Sequence, residues 1–379
     1  MKYRIRLNLF RVAGFTLVEL MVGIAIALIS SLAILQTFSS YEGQKRSTTA
    51  GSEAQENGLM ALTQLEQDIH NAGAGVMDAN TLSCTTTFTY QNTPTEGAIL
   101  GFSLSPVSVV DGATNASDSV TVRTGSNFLG SIPAAITEAM PSASSEFNVN
   151  NPNLFTDGDL SIVMQGGNCT IQNITAVQVA AKKIQHNPGG AAGVNNPSNS
   201  WKNANGWPAY GTGSLVKSLG TVIARTYEIN AANDLQMIAR NAVSGVAAPA
   251  ETLAKDIVRM HVQYGVAPVG SQVVNEWVNA NGATWGGTAT TPTSVNLRRI
   301  KAIRLVLVAR SGKREGANVT GTCTNPGSGI INNGPCAWED TAANPAPLID
   351  LSGNADWQRY RYKVYQTVIP LKNMIWANL

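Results

Sequence analysis

The chain has 379 residues, 44% of them apolar and only 13% charged, against about 25% charged in an ordinary soluble domain. That much apolar mass excludes a disordered tail, and a net charge of +2 carries no global footprint for nucleic acid. Gly, Ser, Thr, Asn and Ala fill the shortfall in charge, which is a composition of strands and loops.

The first 14 residues hold Lys2, Arg4, Arg6 and Arg11 and no acid. Without these four the chain has 22 basic residues against 24 acidic, so no nucleic-acid partner is expected. Leu20 to Tyr41 is free of charge, and Phe15 to Phe38 is mostly Phe, Leu, Val, Ile, Ala and Met. As a helix, that stretch reaches about 36 Å, enough to cross a hydrocarbon core of roughly 30 Å. The basic cluster ahead of it predicts a cytoplasmic amino terminus and a single pass, with the bulk of the chain on the far side.

Glu19 lies inside the apolar stretch. A carboxylate there costs roughly 2.5 to 3.5 kcal/mol on insertion scales, so it calls for a partner. A secretory signal would need a short apolar core and a small-residue cleavage site, for which Ala25-Ile26-Ala27 would have to serve. Neither a signal peptide nor a plain anchor has a use for Glu19.

The string Gly14-Phe15-Thr16-Leu17-Val18-Glu19-Leu20 resembles the type IV prepilin signature: a short basic leader ending in Gly, a Phe, an acid at the fifth mature position and an apolar helix. The resemblance implies that a prepilin peptidase cuts between Gly14 and Phe15 and methylates the new amine of Phe15. It also implies that the Glu19 carboxylate pairs with the amino terminus of a neighbouring subunit, which would neutralise two charges out of water.

From Glu42 to Asn71 the sequence continues with helix formers and no proline. Leu59, Leu62, Leu65 or Glu66, and Ile69 mark an apolar stripe, Gly51 and Gly58 are expected weak points, and Asn71-Ala72-Gly73-Ala74-Gly75 is the expected stop. Beyond residue 75, short β-branched runs predict strands at Ala98–Leu104, Ser119–Arg123, Leu160–Met164, Ile171–Val179, Thr221–Ile229, Leu235–Arg240, Ile257–Tyr264, Ile300–Arg310 and Tyr362–Leu371. Asn230 to Asp234 predicts a hairpin connection. Residues 128–155, 186–213 and 267–294 read as long loops, and the last two carry Trp201, Trp207, Trp277 and Trp285. Those tryptophans either pin the loops to the core or present a partner surface.

The patches Gln55–Leu62, Gln67–Gly73, Asp118–Arg123, Val262–Val266 and Val306–Ser311 resemble PilW-type minor pilins, which are similar in turn to the J-type minor pseudopilin of type II secretion. The fold class expected is therefore α+β and type IV pilin-like: a long amino-terminal helix, transmembrane in its first half, packed on a large β-rich head. Its parts are a leader at 1–14, a transmembrane and assembly helix at 15–40, its periplasmic continuation at 41–75, and the head at 76–379.

Four cysteines, Cys84, Cys169, Cys323 and Cys336, all follow the membrane helix, where disulfides persist. Three pairings are open; Cys323 with Cys336, closing a Gly/Asn/Pro-rich loop, and Cys84 with Cys169 is the favoured one. His70, His186 and His261 lack metal-ligand spacing, and Asp157-Gly158-Asp159 reads as a turn before a calcium site, so no metal or cofactor is expected. No nucleophile elbow, phosphate loop or dinucleotide fingerprint is present, and no enzyme is expected. The basic run Arg298, Arg299, Lys301, Arg304, Arg310, Lys313 and Arg314 reads as a solvated strand edge.

The resemblance implies a minor pilin of a priming or tip complex that initiates pilus assembly. Its partners would be other minor pilins, the major pilin, prepilin peptidase, the inner-membrane assembly platform and a tip adhesin. A J-like pseudopilin and a tip adhesin or receptor subunit are the alternatives. The place implied is the bacterial inner membrane with a periplasmic head, and the pilus after assembly.

Overall fold

The computed structural model describes residues 14–91, 104–112, 116–127, 132–189, 193–241, 246–286, 292–338, 341 and 346–377. The chain divides into two compact units, Met1–Ser52 and Glu53–Leu379. One helix, α1 (Leu17–His70), runs for 54 residues and carries a window of mean hydropathy 2.4, long and apolar enough to cross a membrane. A β-rich head follows, and the class is α+β.

Inside the head unit α1 packs through Ala54, Gly58, Ala61, Leu65 and Ile69, one residue every three or four. Leu62, Leu65 and Ile69 of the expected stripe pack on the core, but Leu59 is 59% exposed and Glu66 also faces out. At Gly58 the helix lies close to the strand Tyr362–Pro370. Gly58 is a contact rather than a weak point: a Cβ there would overlap the Tyr365 ring, whose hydroxyl donates to the Gln55 carbonyl at 3.1 Å. The carboxylate of Asp68 accepts from the Tyr227 hydroxyl and lies 3.8 Å from Arg225. Burial and the adjacent Asp68 push the Tyr227 phenol upward. The helix ends where Gly73 turns to φ +78° and its N–H leaves the helix for the Arg123 carbonyl.

The strands form three large sheets. One has the order Thr86–Phe88, Asn168–Asn173, Leu160–Gln165, Leu215–Gly220, Ala134–Glu138, Phe147–Val149, Lys183–Gln185, Ala176–Gln178. A second runs Glu251–Ala254, Leu235–Asn241, Val222–Ile229, Ser119–Gly125, Val107–Val110. The third runs Glu276–Asn279, Ile257–Val266, Ile300–Arg310, Tyr362–Pro370. The expected hairpin is present, with Ile229 opposite Leu235. The expected strand at Ile171–Val179 breaks after Asn173 and resumes at Ala176, and most of Ala98–Leu104 lies outside the described residues.

Two expectations are corrected. The three long loops carry structure: Ala134–Glu138 and Phe147–Val149 in the first, the helix Asn199–Ala204 in the second, and Glu276–Asn279 with the helix Gly282–Trp285 in the third. The basic run is no solvated edge. Arg298 and Arg299 end the helix Ser294–Arg299, and Ile300–Arg310 is an inner strand buried along nearly its whole length. Its Ile303, Leu305 and Leu307 join the core that holds Leu65 and Ile69, while Val306 and Val308 are covered by Trp338, Ile349, Leu351 and Trp357. Arg304, 8% exposed, has its guanidinium 4.8 Å from the Trp277 ring centre and 4.0 Å from that of Trp338, and it donates to Gln263 Oε1.

His186 is buried with its ring stacked on Phe147, centroids 4.5 Å apart, and its Nε2 2.7 Å from the Ser145 carbonyl oxygen. A carbonyl only accepts, so Nε2 carries the proton of the neutral ring. Burial, with Lys202 adding repulsion, pushes the imidazole down to about 4. The unfolded chain, with a histidine near 6.5, takes up this proton first as pH falls. Its contribution to stability is therefore complete above pH 6.5 and is lost between 6.5 and about 4. Urea unfolding at stepped pH is expected to lose about 3 kcal/mol across that window on this account. His186→Phe is expected to lack that part of the acid limb; an unchanged limb would assign the loss to other groups.

Candidate assembly site

The first turn of α1 is built by two side chains. Thr16 precedes the helix, and its Oγ1 accepts from the Glu19 N–H at 3.2 Å. In return, Glu19 Oε2 accepts from the Thr16 N–H and from Thr16 Oγ1, each at 2.9 Å. Leu20 N–H then closes the first helical turn onto the Thr16 carbonyl at 3.1 Å. This is a reciprocal capping box, and its Thr-x-x-Glu spacing was already present in the sequence. Thr16 is the residue that sequence reasoning missed, because it is uncharged and its only signal is its spacing from Glu19.

Gly14 and Phe15 lie immediately ahead of this box, and Phe15 is 89% exposed. The cap occupies only one carboxylate oxygen; Oε1 of Glu19 takes no hydrogen bond from a described residue. From Leu17 to Phe38 the helix presents exposed apolar side chains on all sides, among them Leu20, Ile24, Leu28, Leu35 and Phe38, with Glu19 as the one acid. Such a helix buries its surface in lipid or against other helices of the same kind. The leader residues 1–13, with Lys2, Arg4, Arg6 and Arg11, lie outside the described residues.

The other sequence-predicted residues belong to the head unit. Cys84 is joined to Cys169 and Cys323 to Cys336, the favoured pairing. The first bridge ties the segment after α1 to the strand Asn168–Asn173, and the second closes a loop containing the short ladder of Cys323–Thr324 with Ile331–Asn332. Among the described residues no three His, Cys, Asp or Glu side chains are grouped so as to hold a metal. Asp157-Gly158-Asp159 is a turn with Gly158 at φ +91°, and the Asp159 carboxylate accepts from Ser218 at 2.7 Å. His261 Nδ1 lies 3.6 Å from Asp118.

Each of the four loop tryptophans has a partner in the chain. Trp201 meets Tyr90 and Trp207 edge-on, with ring centres 4.9 and 5.5 Å away, Trp207 is buried beside Phe88, and Trp277 and Trp285 face Arg304 and Arg299. They pin their loops to the head.

Comparison with known families gives two matches. Residues 226–373 match the type IV pilus-assembly protein W family, a segment that runs from the strand Val222–Ile229 to the last helix, Lys372–Trp376. Residues 9–35 match the prokaryotic N-terminal methylation motif, which spans the Gly14–Phe15 boundary, the capping box and most of the apolar stretch. No curated protein and no solved structure matches the chain. The two ends of the chain thus resemble, respectively, the methylation motif of prepilin-like proteins and the PilW family of type IV pilus assembly.

Proposed function

We propose that this protein is a minor pilin of the priming or tip complex that starts type IV pilus assembly. The observation that carries the reading is Glu19: a single acid on the first turn of an otherwise apolar helix, directly after a methylation motif and attached to a PilW-matching head. Prepilin peptidase cuts between Gly14 and Phe15 and methylates the Phe15 amine. The cut comes before the apolar helix, so the mature chain keeps its anchor. In the inner membrane, with the head in the periplasm, Glu19 pairs with the amino terminus of a neighbouring subunit. The partners are other minor pilins, the major pilin, the assembly platform and a tip adhesin. The role is structural, without turnover, and the PilW match favours a pilus over a secretion pseudopilus.

Mass spectrometry of the membrane-extracted protein tests this. The expected first residue is N-methylated Phe15. A chain starting near Leu28, or an intact Met1, would overturn the assembly reading and leave an anchored β-rich protein.

A further inference from the structure

The head carries a cavity of about 430 Å3 where the strand Ile257–Val266 leaves its pairing with Glu276–Asn279. Past Gln263 that edge is taken over by Asp118, whose N–H donates to the Met260 carbonyl at 2.9 Å and whose Oδ2 accepts from the Val262 N–H at 2.7 Å. Oδ1 of Asp118 accepts from the Gly112 N–H at 2.9 Å, so the backbone fixes this carboxylate through both oxygens. Asn279 and Asn281 are exposed, whereas Asp118, His261 and Gln263 are buried, and the cavity leads from a wet amide rim to a dry polar floor.

Three acceptors in it are unused. Asp111 Oδ2 accepts from Asn281 Nδ2 at 2.7 Å, while Asp111 Oδ1 and Asn281 Oδ1 take no hydrogen bond from a described residue. His261 is 8% exposed, and its Nε2 has no partner. Its Nδ1 is 3.6 Å from Asp118 Oδ1, a carboxylate that draws the ring proton to that side, so the neutral ring keeps a lone pair at Nε2. Gln263, by contrast, is engaged: its Nε2 donates to Asn279 Oδ1 at 2.7 Å and its Oε1 accepts from Arg304.

The lining has two carboxylates and no lysine or arginine. Arg304 stands one layer back, turned to Gln263 and to the rings of Trp277 and Trp338. Burial and the charge of Asp118 push the Asp111 carboxyl upward, against pulls from Asn281 and His261. A cation beside Asp111 offsets both the burial and the repulsion. The chemistry that fits is therefore cationic and rich in hydrogen-bond donors. A metal ion needs ligands closing on one point, and Asp111, Asp118 and His261 are not so grouped. A neutral sugar supplies donors without the charge. A guanidinium supplies both, since its five N–H groups lie in a rigid plane and reach acceptors set apart from one another. The volume agrees, being far above the roughly 30 Å3 of a water and within the range of about 300 to 1,000 Å3 usual for small ligands.

We propose that this cavity binds a guanidinium group, with Asp111 Oδ1 as its charged acceptor and Asn281 Oδ1 and His261 Nε2 as its neutral ones. Asp118 acts by positioning His261. The guanidinium belongs either to an arginine of another chain or to a free guanidine, and the site is independent of Glu19 and of the pilin reading.

Calorimetric titration of the full chain in detergent with Nα-acetyl-arginine amide tests this. Saturable binding is expected, at least about tenfold tighter than that of Nα-acetyl-lysine amide, whose compact charge does not span the acceptors. Asp111→Asn keeps an acceptor for Asn281 and removes the charge, so it is expected to weaken binding at least about tenfold and to leave the urea midpoint near the parent's. A Gly-Gly-Arg-Gly-Gly peptide separates the sources. Affinity equal to that of the amide assigns the site to an arginine presented by another chain, and affinity at least about tenfold weaker assigns it to a free guanidine. No saturable binding, equal binding of the lysine amide, or unchanged affinity in Asp111→Asn overturns the proposal. Binding of glucose or of calcium chloride in place of the arginine amide overturns it in favour of a sugar or a metal site.

Discussion

Glu19→Ala is expected to remove the protein from sheared pili and to abolish piliation, with the head as stable as in the parent. Two effects of unequal size are lost with that side chain. The capping box that Glu19 makes with Thr16 contributes about 1 kcal/mol to a helix end. The proposed ion pair is larger, because removing one member leaves the neighbour's ammonium unpaired out of water at about 3 to 5 kcal/mol, roughly two to three and a half orders of magnitude in association. Glu19→Gln separates the two. Glutamine is as competent as glutamate in a capping box but carries no charge. If the charge drives assembly, the Gln variant fails as the Ala variant does. If Gln restores pili, the cap alone matters and the pairing argument falls.

The second large effect lies in the head. Asp78 caps the short helix Ala79–Leu82, with Oδ1 accepting from the Thr81 N–H at 2.7 Å and from its hydroxyl at 2.8 Å, while Oδ2 meets Lys217 Nζ at 2.9 Å. Lys217 is 1% exposed in the strand Leu215–Gly220, and its other described contact is the Val76 carbonyl at 3.3 Å. Asp78→Ala therefore strands a buried ammonium. The expected cost is about 3 to 5 kcal/mol, read as a drop in the urea midpoint at unchanged slope. Combining it with Lys217→Met is expected to recover all but about 1 to 2 kcal/mol, since an apolar pair of similar volume replaces a buried ion pair at little cost and only the cap stays lost. A loss under about 1 kcal/mol for the single variant would show that water reaches Lys217 readily.

These residues also mark what could be read ahead of the structure. The apolar helix, its stop at Gly73, the hairpin at Asn230–Asp234 and the strands around Ile257, Ile300 and Tyr362 were legible because each is a run long enough to show a period. Strands such as Phe147–Val149 and Lys183–Gln185 were not. Three residues, set in an Asn- and Ser-rich stretch in the first case and after a run of Ala and Lys in the second, show no alternation, and it is the neighbouring strands that hold them extended. The first position of the helix stripe was misread for a related reason. Apolarity pointed to Leu59, whereas close approach to Tyr365 selected Gly58. At the assembly site the charge of Glu19 was conspicuous, and its dependence on Thr16 lay in a spacing associated with helix caps in general. The Asp78–Lys217 pair, 139 residues apart, had no local signal at all.

The bridge between Cys323 and Cys336 has a consequence for the order of events in the cell. Its loop belongs to the excursion between Arg310 and Tyr362 that supplies Trp338, Ile349 and Trp357 as the cover over Val306, Val308 and Arg304. That excursion is rich in Gly, Asn and Pro and poor in apolar residues of its own, so closing it by a covalent link removes much of the entropy that would keep it open. In a reducing compartment the link does not persist, and the inner strand would keep one flank wet. If the head lies outside the cytoplasm, as proposed above, it would reach its finished form only after the chain has crossed to the oxidising side, which would couple maturation of the fold to export.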